Sequence, residues 1–284
     1  MLAVDVGGTK LEVGLVDAAG DVLVRERAPT DGDEPWPGVA VLVEAVLEAG
    51  RSAGIEPVAC GVGCGGPMER GGTAVSPLNI PGWRSFPLLD RISALAGLPA
   101  VVDNDAKAFA LGEGWLGAAA GCDTYIAMVV STGVGGGVVV DGRLLDGASG
   151  NAGHIGHITV IEGGRECSCG GRGCLEAEAS GTAIAATTGA PAAGAHAEVV
   201  VRTGTLVGRA LASATVLLDL AVAVIGGSVA LGFGEPFFAA AQRELDRLVA
   251  IEFSRGMRVV PPGLGADGPL VGAAALALRT VPAR

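Results

Sequence analysis

Residues 2–16 read LAVDVGGTKLEVGLV, and residues 124–141 read TYIAMVVSTGVGGGVVVD. Each is an apolar run of strand character, a turn that joins a hydroxyl to glycines, and a second apolar run. In the first, Leu2 to Val6 and Leu11 to Val16 flank Gly7, Gly8, Thr9 and Lys10. In the second, about 125 residues later, Thr124 to Val130 and Val138 to Asp141 flank Ser131 through Gly137. Two glycine hairpins that each follow a strand predict a duplicated α/β fold in which each half supplies a phosphate loop and a ligand lies between the halves. At such a tip glycine lets backbone N–H groups approach an anion, Thr9 adds a hydroxyl, Lys10 a positive charge, and Asp5 a carboxylate that could hold a metal ion. A plain hairpin turn explains the glycines, but not Asp, Thr and Lys together.

Outward from the hairpins, Trp36 to Ala53 has a helical pattern, and Val58 to Val62 is a buried strand ending in Gly63-Cys64-Gly65-Gly66-Pro67. Asn79-Ile80-Pro81-Gly82-Trp83 is a polar turn with one aromatic, either a sugar contact or a loop anchor. Ala100 to Val102 is a third strand, closed by Asp103-Asn104-Asp105 before a helix from Ala106 to Trp115. Asp105 thus stands where a strand ends and a helix begins, a place that suits an N-cap as well as a catalytic carboxylate. Thr205 to Leu220 is helical, Ala221 to Ile225 is a strand, and Gly226-Gly227-Ser228 is a third glycine turn at its carboxyl end, where open α/β sheets bind ligands. Leu270 to Leu278 is an apolar helix expected to pack back on the first half.

Residues 150–178, GNAGHIGHITVIEGGRECSCGGRGCLEAE, answer to a different need. Cys167, Cys169 and Cys174, with His157 ten residues earlier, offer three thiolates and an imidazole, the set of a closed tetrahedral zinc site. Thiolates select zinc or iron–sulfur, and three Cys with one His favour zinc. Half of the six cysteines fall within eight residues of a polar, glycine-rich segment, which speaks against ordinary buried cysteines and against disulfides. Four protein ligands leave no open position, so the metal is expected to be structural. It would pin a loop flanked by His154, Glu176 and Glu178.

The bulk numbers set limits. A chain of 284 residues can bury two cores. It is 50% hydrophobic, yet no run approaches the ~18 to 20 apolar residues of a membrane span. No cleavable leader is visible ahead of Leu2, so a cytoplasmic protein with reduced thiols is expected. A net charge of -11 argues against a nucleic-acid surface, which needs basic patches.

Asp5-Val-Gly-Gly-Thr-Lys10, Asn104-Asp105-Ala106, Ser131-Thr-Gly-Val-Gly-Gly-Gly137, the segment Ala152 to His157, Cys167-x-Cys169-Gly-Gly-Arg-Gly-Cys174-Leu-Glu176 and Gly226-Gly-Ser228 together resemble the ROK family of sugar kinases and repressors. These motifs span nearly the whole chain in the family's order. The resemblance implies an α/β fold of the actin-like ATPase (ribonuclease H-like) type, with two domains and a cleft between them. The domains would be residues 1–105, completed by a helix near 269–284, and residues 106–268 with the zinc loop. It also implies ATP as phosphate donor, Mg²⁺, structural Zn²⁺, and a homodimer or homotetramer. By residue, it implies that Asp105 is the base for the sugar 6-hydroxyl, with Gly65, Asn79, Asn104, His154, His157 and Glu176 around the sugar. Asp5, Gly7, Gly8, Thr9, Lys10, Thr132, Gly133, Gly135 and Gly136 would serve the nucleotide phosphates and their cation, and Gly226 and Gly227 the adenosine.

One position departs from the family's pattern. Most ROK kinases have Glu where this chain has His154, and His-x-Gly-His resembles some bacterial N-acetylmannosamine kinases. An imidazole can donate one hydrogen bond and accept one, whereas a carboxylate only accepts. A donor suits the acetamido carbonyl of an N-acylhexosamine, so N-acetylmannosamine is the first expectation and glucose the second, with ATP or polyphosphate as donor. The family's repressors carry a helix-turn-helix ahead of the D-x-G-G-T-K motif, which here begins at the fifth residue, so no DNA-reading element is expected. A sugar-binding regulator without catalysis would have lost Asp105 or the glycine loops, and both are present.

Overall fold

The computed structural model describes residues 1–30 and 32–281. β1 (Leu2–Val6) pairs antiparallel with β2 (Lys10–Val16), and β2 with β3 (Val22–Pro29). On its other side β1 runs parallel to β4 (Cys60–Cys64), and β4 to β5 (Ala100–Asn104), giving the order β3-β2-β1-β4-β5. Successive side chains of a strand point to opposite faces. Leu2, Val4 and Val6 accordingly join one core with Leu11, Val13, Cys60, Val62 and Cys64, whose cover includes residues of α1 (Trp36–Ser52) and α2 (Leu88–Ala96). Ala3 faces the opposite side, with Leu270, Ala273 and Ala274 of the C-terminal helix.

That second face explains the alternation Cys-Gly-Val-Gly-Cys in β4. A Cβ at Gly61 would lie 1.8 Å from the Ala273 carbonyl oxygen, so the last helix rests directly on bare backbone. α3 (Asp105–Trp115) packs there too, because Gly112 and Gly272 leave the two helices in near backbone contact; a Cβ at Gly272 would come 2.5 Å from the Ala108 carbonyl.

The second sheet repeats the first. β6 (Tyr125–Val130) pairs antiparallel with β7 (Val134–Val140), and β7 with β8 (Arg143–Leu144). Across a parallel boundary β6 meets β9 (Val222–Gly226), and β9 meets β10 (Arg258–Val260). The order β10-β9-β6-β7-β8 is that of the first sheet, first strand at the centre, antiparallel to one side and parallel to the other. Two short helices, α4 (Leu175–Ala179) and α5 (Gly181–Thr188), precede the long α6 (Ala197–Leu218), and α7 (Ser228–Phe233) and α8 (Glu235–Leu248) follow β9. α9 (Gly268–Leu278) closes the described chain.

The chain thus forms two compact units: unit 1 from Met1–Gly117, Asp146–Ala152 and Gly263 onward, and unit 2 from Ala118–Leu145 and Gly153–Pro262. α3 belongs to unit 1, which moves the expected boundary at residue 105 to about 117, for the reason that Gly112 seats α3 on α9. Residues 282–284 of the expected C-terminal segment lie outside the described residues. Other boundaries differ from expectation: β4 runs two residues further, through Gly63 and Cys64, β7 starts inside the glycine run, and α6 starts at Ala197, ahead of the expected Thr205. Among the described residues no helix is long and apolar enough to cross a membrane.

Candidate active site

In unit 1 the carboxyl ends of β1, β4 and β5 bring Asp5, Cys64 and Asp105 together. Asp5 stands opposite Gly63 in the β1–β4 ladder. A Cβ on Gly63 would lie 3.4 Å from the Asp105 Cα and 3.6 Å from Asp5 Oδ1, so Gly63 lies between the two acids. Burial pushes the Asp5 carboxyl up to about 7, the Asp105 charge adds to the rise, and Lys10 opposes it. Burial likewise raises the Cys64 thiol, and both acids add to it. Of the two residues that could cap α3, backbone position selects one. Asn104 is the N-cap of α3, its side chain accepting from Ala106 N–H at 3.0 Å, and Asp105 is the first helical residue, its Oδ1 accepting from the same amide at 2.8 Å.

The first glycine turn is fastened at its base: Gly7 N–H donates to the Lys10 carbonyl at 3.0 Å, and the Thr30 hydroxyl donates to the Gly7 carbonyl at 2.6 Å. The Lys10 ammonium pairs with the buried carboxylate of Glu12, which Arg25 and Arg27 also approach. Asn79 lies against this turn and against Gly65. A Cβ at Gly8 would sit 2.6 Å from Asn79 Nδ2, and one at Gly65 3.1 Å from Asn79 Oδ1. The guanidinium of Arg84 holds the loop that carries Asn79, donating to the carbonyls of Pro77, Ile80 and Trp83 at 3.1, 3.2 and 2.6 Å.

In unit 2 the second glycine turn is Ser131–Gly133, and Gly135 and Gly136 belong to β7, opposite Val129 and Met128. Their absence of side chains has a packing cause at Gly136, whose Cβ would meet Ile155 Cγ2 at 2.9 Å and the Gly153 carbonyl at 3.1 Å. Gly153, at φ +100°, would in turn strike the Gly136 carbonyl, and Gly156 the Val134 carbonyl at 2.1 Å. The loop bearing His154 and His157 therefore lies backbone to backbone on β7. Gly226 ends β9 opposite Val129. Gly227, at φ +96°, abuts the Val130 carbonyl, and the hydroxyls of Ser131 and Ser228 meet at 2.9 Å. Thr132, Gly133, Gly226 and Gly227 are thus gathered at the carboxyl ends of β6 and β9.

The four expected metal ligands also converge. The ligand atoms of His157, Cys167, Cys169 and Cys174 lie within 4.8 Å of one another. Cys167 Sγ is 3.6 Å from His157 Nδ1, and Cys169 Sγ 3.7 Å from Cys174 Sγ. Tetrahedral zinc at its usual bond lengths sets ligand separations of about 3.5 to 3.8 Å, so donor set and spacing both fit. Burial, with hydrogen bonds from the neighbouring thiols, pushes the Cys174 thiol up to about 12. His154 and His157 lie with ring centroids 6.0 Å apart. Glu176 joins the loop to the second turn, its Oε2 accepting from Val134 N–H at 2.9 Å. Glu178 is buried and holds Arg165 and Arg202.

Several supporting residues carry no motif. Glu12, Arg84 and Ser228 are visible only once strand register and loop path are known. So is Lys107, whose buried ammonium bonds Asp103 at 3.2 Å, Asp146 at 3.1 Å and the Gly150 carbonyl at 2.9 Å. It lines a cavity of about 330 Å³ in unit 1 with Arg70 and Arg279, away from the expected site residues.

The glucokinase of Halalkalibacterium halodurans is 40% identical over 190 residues, which are 65% of this chain and 57% of that enzyme. In that match the chain spans less than two thirds of its relative's length. The N-acetylmannosamine kinase of Citrobacter koseri is 39% identical over 255 residues, 82% of this chain and 84% of that one. The crystal structure of a ROK family glucokinase from Streptomyces griseus, in complex with glucose and AMPPNP, matches with a TM-score of 0.82 at 31% identity, covering 98% of this chain and 99% of that chain. The fold is the actin-like ATPase fold, two α/β units with a repeated sheet order. The sequence profile of the ROK family covers residues 1–280, every glycine turn and the Cys/His tetrad included, and the chain belongs to that family.

Proposed function

We propose that the chain is an ATP-dependent sugar kinase that phosphorylates the 6-hydroxyl of an N-acylhexosamine, with N-acetylmannosamine as its first substrate. The observation that carries this reading is the approach of Asp5 and Asp105 across Gly63, two carboxylates at the ends of parallel strands beside a glycine turn. In phosphoryl transfer the transition state is loose, so the protein's task is positioning and charge neutralisation. Asp105 orients the hydroxyl and takes its proton late; its bond to Ala106 N–H fixes the carboxylate for that role. The sugar contacts of this reading are Asn79, Asn104, the Gly65 backbone, His154, His157 and Glu176. Backbone amides of Gly8 to Lys10 and of Thr132 and Gly133 receive phosphate oxygens, Gly7 closes the first turn on Lys10, β7 glycines Gly135 and Gly136 support the second turn, and Gly226 and Gly227 border the adenosine. Mg²⁺, bound with the nucleotide near Asp5, supplies charge neutralisation at the phosphates. Zn²⁺ in the His157, Cys167, Cys169 and Cys174 tetrad is structural, and assembly as a homodimer belongs to the same reading.

The preference for an N-acyl sugar rests on the two histidines. Nδ1 of His157 lies toward the tetrad, so with zinc bound there its Nε2 would carry the proton and be a donor, and His154 can donate as well. Two donors suit an acetamido carbonyl. Glucose is the second reading, supported by the likeness to glucokinases. Catalytic efficiencies on N-acetylmannosamine, N-acetylglucosamine, glucose and mannose, each with ATP and with polyphosphate, decide between them. N-acetylmannosamine should lead, and His154→Glu should shift preference toward glucose. A wild-type lead for glucose overturns the substrate, and no phosphorylation of any sugar with either donor overturns the kinase.

A further inference from the structure

The second glycine turn is held from two sides, and the two holds are chemically different. On one side the start of α5 takes its carbonyls: Gly181 N–H donates to the Ser131 carbonyl at 2.7 Å, and Thr182 donates to the Thr132 carbonyl through its N–H at 3.3 Å and its hydroxyl at 2.9 Å. In a trans peptide the carbonyl and the following N–H point in opposite directions. Tying those two carbonyls to α5 therefore turns the N–H groups of Thr132 and Gly133 away from α5, which is the arrangement an anion-binding turn requires. The Gly133 carbonyl closes the turn on Ser131 N–H at 2.9 Å. The next N–H, that of Val134, is held by a side chain, the carboxylate of Glu176, at 2.9 Å. A Cβ at Gly133 would come 2.7 Å from the same Oε2, so the carboxylate occupies the space that the bare glycine leaves under the turn.

Glu176 is itself well fixed. It is the second residue of α4, which starts from Cys174 of the tetrad. The preceding Leu175 is fully buried and donates its N–H to the Ile158 carbonyl at 2.9 Å. A side chain placed this firmly can transmit its own position to the turn.

We infer that Glu176 is a positioning residue for the nucleotide: its Oε2 anchors Val134 and so holds the Thr132 and Gly133 amides in line for a phosphate. This rests on the kinase reading and adds to the sugar contact proposed for the same side chain. A glutamine at 176 keeps an acceptor for Val134 and loses the charge, whereas an alanine loses both.

The test compares E176A and E176Q with wild type in three readouts. They are KM for ATP, KM for the sugar, and amide hydrogen exchange of residues 131–138 in the free protein. E176A should raise the ATP KM roughly tenfold or more, the loss expected for a hydrogen bond to a charged acceptor, and should speed exchange at Val134. E176Q should restore both to near wild type, whatever it does to the sugar KM. If both variants raise only the sugar KM, and exchange at 131–138 is unchanged in E176A, Glu176 is a sugar contact alone and the inference is overturned. Should wild type bind no AMPPNP, the reading of ATP as donor fails by itself, and the exchange comparison still decides whether Glu176 holds the turn.

Discussion

Replacing Asp105 with Asn keeps the shape of the side chain and an oxygen for Ala106 N–H, but removes the proton acceptor. Turnover should fall by ~10² to 10⁴, with sugar affinity largely kept; steady-state kinetics that retain more than about a tenth of wild-type turnover would return Asp105 to a purely structural role. That outcome was open in the sequence, where Asn104 and Asp105 are both good N-caps and only backbone geometry shows which one caps. Asp5 gives a test by pH. Its carboxyl is raised from 3.8 to about 7 in the fold, by burial first. Between those values the folded protein holds a proton that the unfolded chain has released, so stability falls as pH rises through that window and levels off above it. Asp5→Asn should flatten this slope and make the free protein more stable than wild type at pH 8, as read by denaturant unfolding across pH. Equal slopes would mean that Asp5 ionises in the fold as it does in water. Glycines at 61 and 136 are obvious as letters, but the carbonyl or loop that each one admits is set by segments far away in sequence.

Among the elements, most strands and the helices α1, α3 and α9 followed their apolar patterns, α6 starts ahead of the expected Thr205, α8 was not expected, and the strand errors lie where glycine or charge masks a strand. β7 begins at Val134 inside a run of poor strand formers, because the loop from Gly153 to His157 must lie on bare backbone there. β3 escaped notice because VLVRERAP alternates weakly, and its Arg25 and Arg27 find their reason only in Glu12 on the neighbouring strand. The loop from Pro77 to Trp83 is gathered by the Arg84 guanidinium, which takes three of its carbonyls. Arg84→Ala should loosen Asn79 and raise the sugar KM about tenfold, leaving the ATP KM within twofold; a matched rise in both would show that the loop serves the first glycine turn instead. The tetrad loop was the most legible element, since its ligands are specified by type and spacing alone. Elemental analysis should find one zinc per chain. Cys169→Ser, at the one exposed cysteine of the four, should abolish that zinc and lower the melting temperature without leaving a hole in a core. Protein purified without metal but with an unchanged melting curve would argue for a tetrad of plain thiols.

At the scale of the molecule, the repeat was legible because two hairpins of one pattern demand two sheets of one topology, and the shared strand order bears that out. The routing was less so: a short stretch, Asp146–Ala152, returns to unit 1 in the middle of unit 2, fastened by Lys107 and by paired bonds between Asn151 and the Met68 backbone. Unit 1 is completed by residues after Pro262, since α9 covers Ala3, Gly61 and Val16. A chain ended after Pro262 should therefore lose the protection of β1 and β4 amides while β6 and β9 keep theirs, as hydrogen exchange would read; protection kept throughout would mean that α9 is dispensable. The place of α9 also matters during birth on the ribosome. Every strand of the first sheet is made before the second sheet begins, yet a face of the first sheet waits uncovered until α9 has been made, while the second sheet can finish and pack first. Of the two units, the one whose strands are made first is thus the one that matures last, and it is the nascent first sheet that would need a chaperone's shelter.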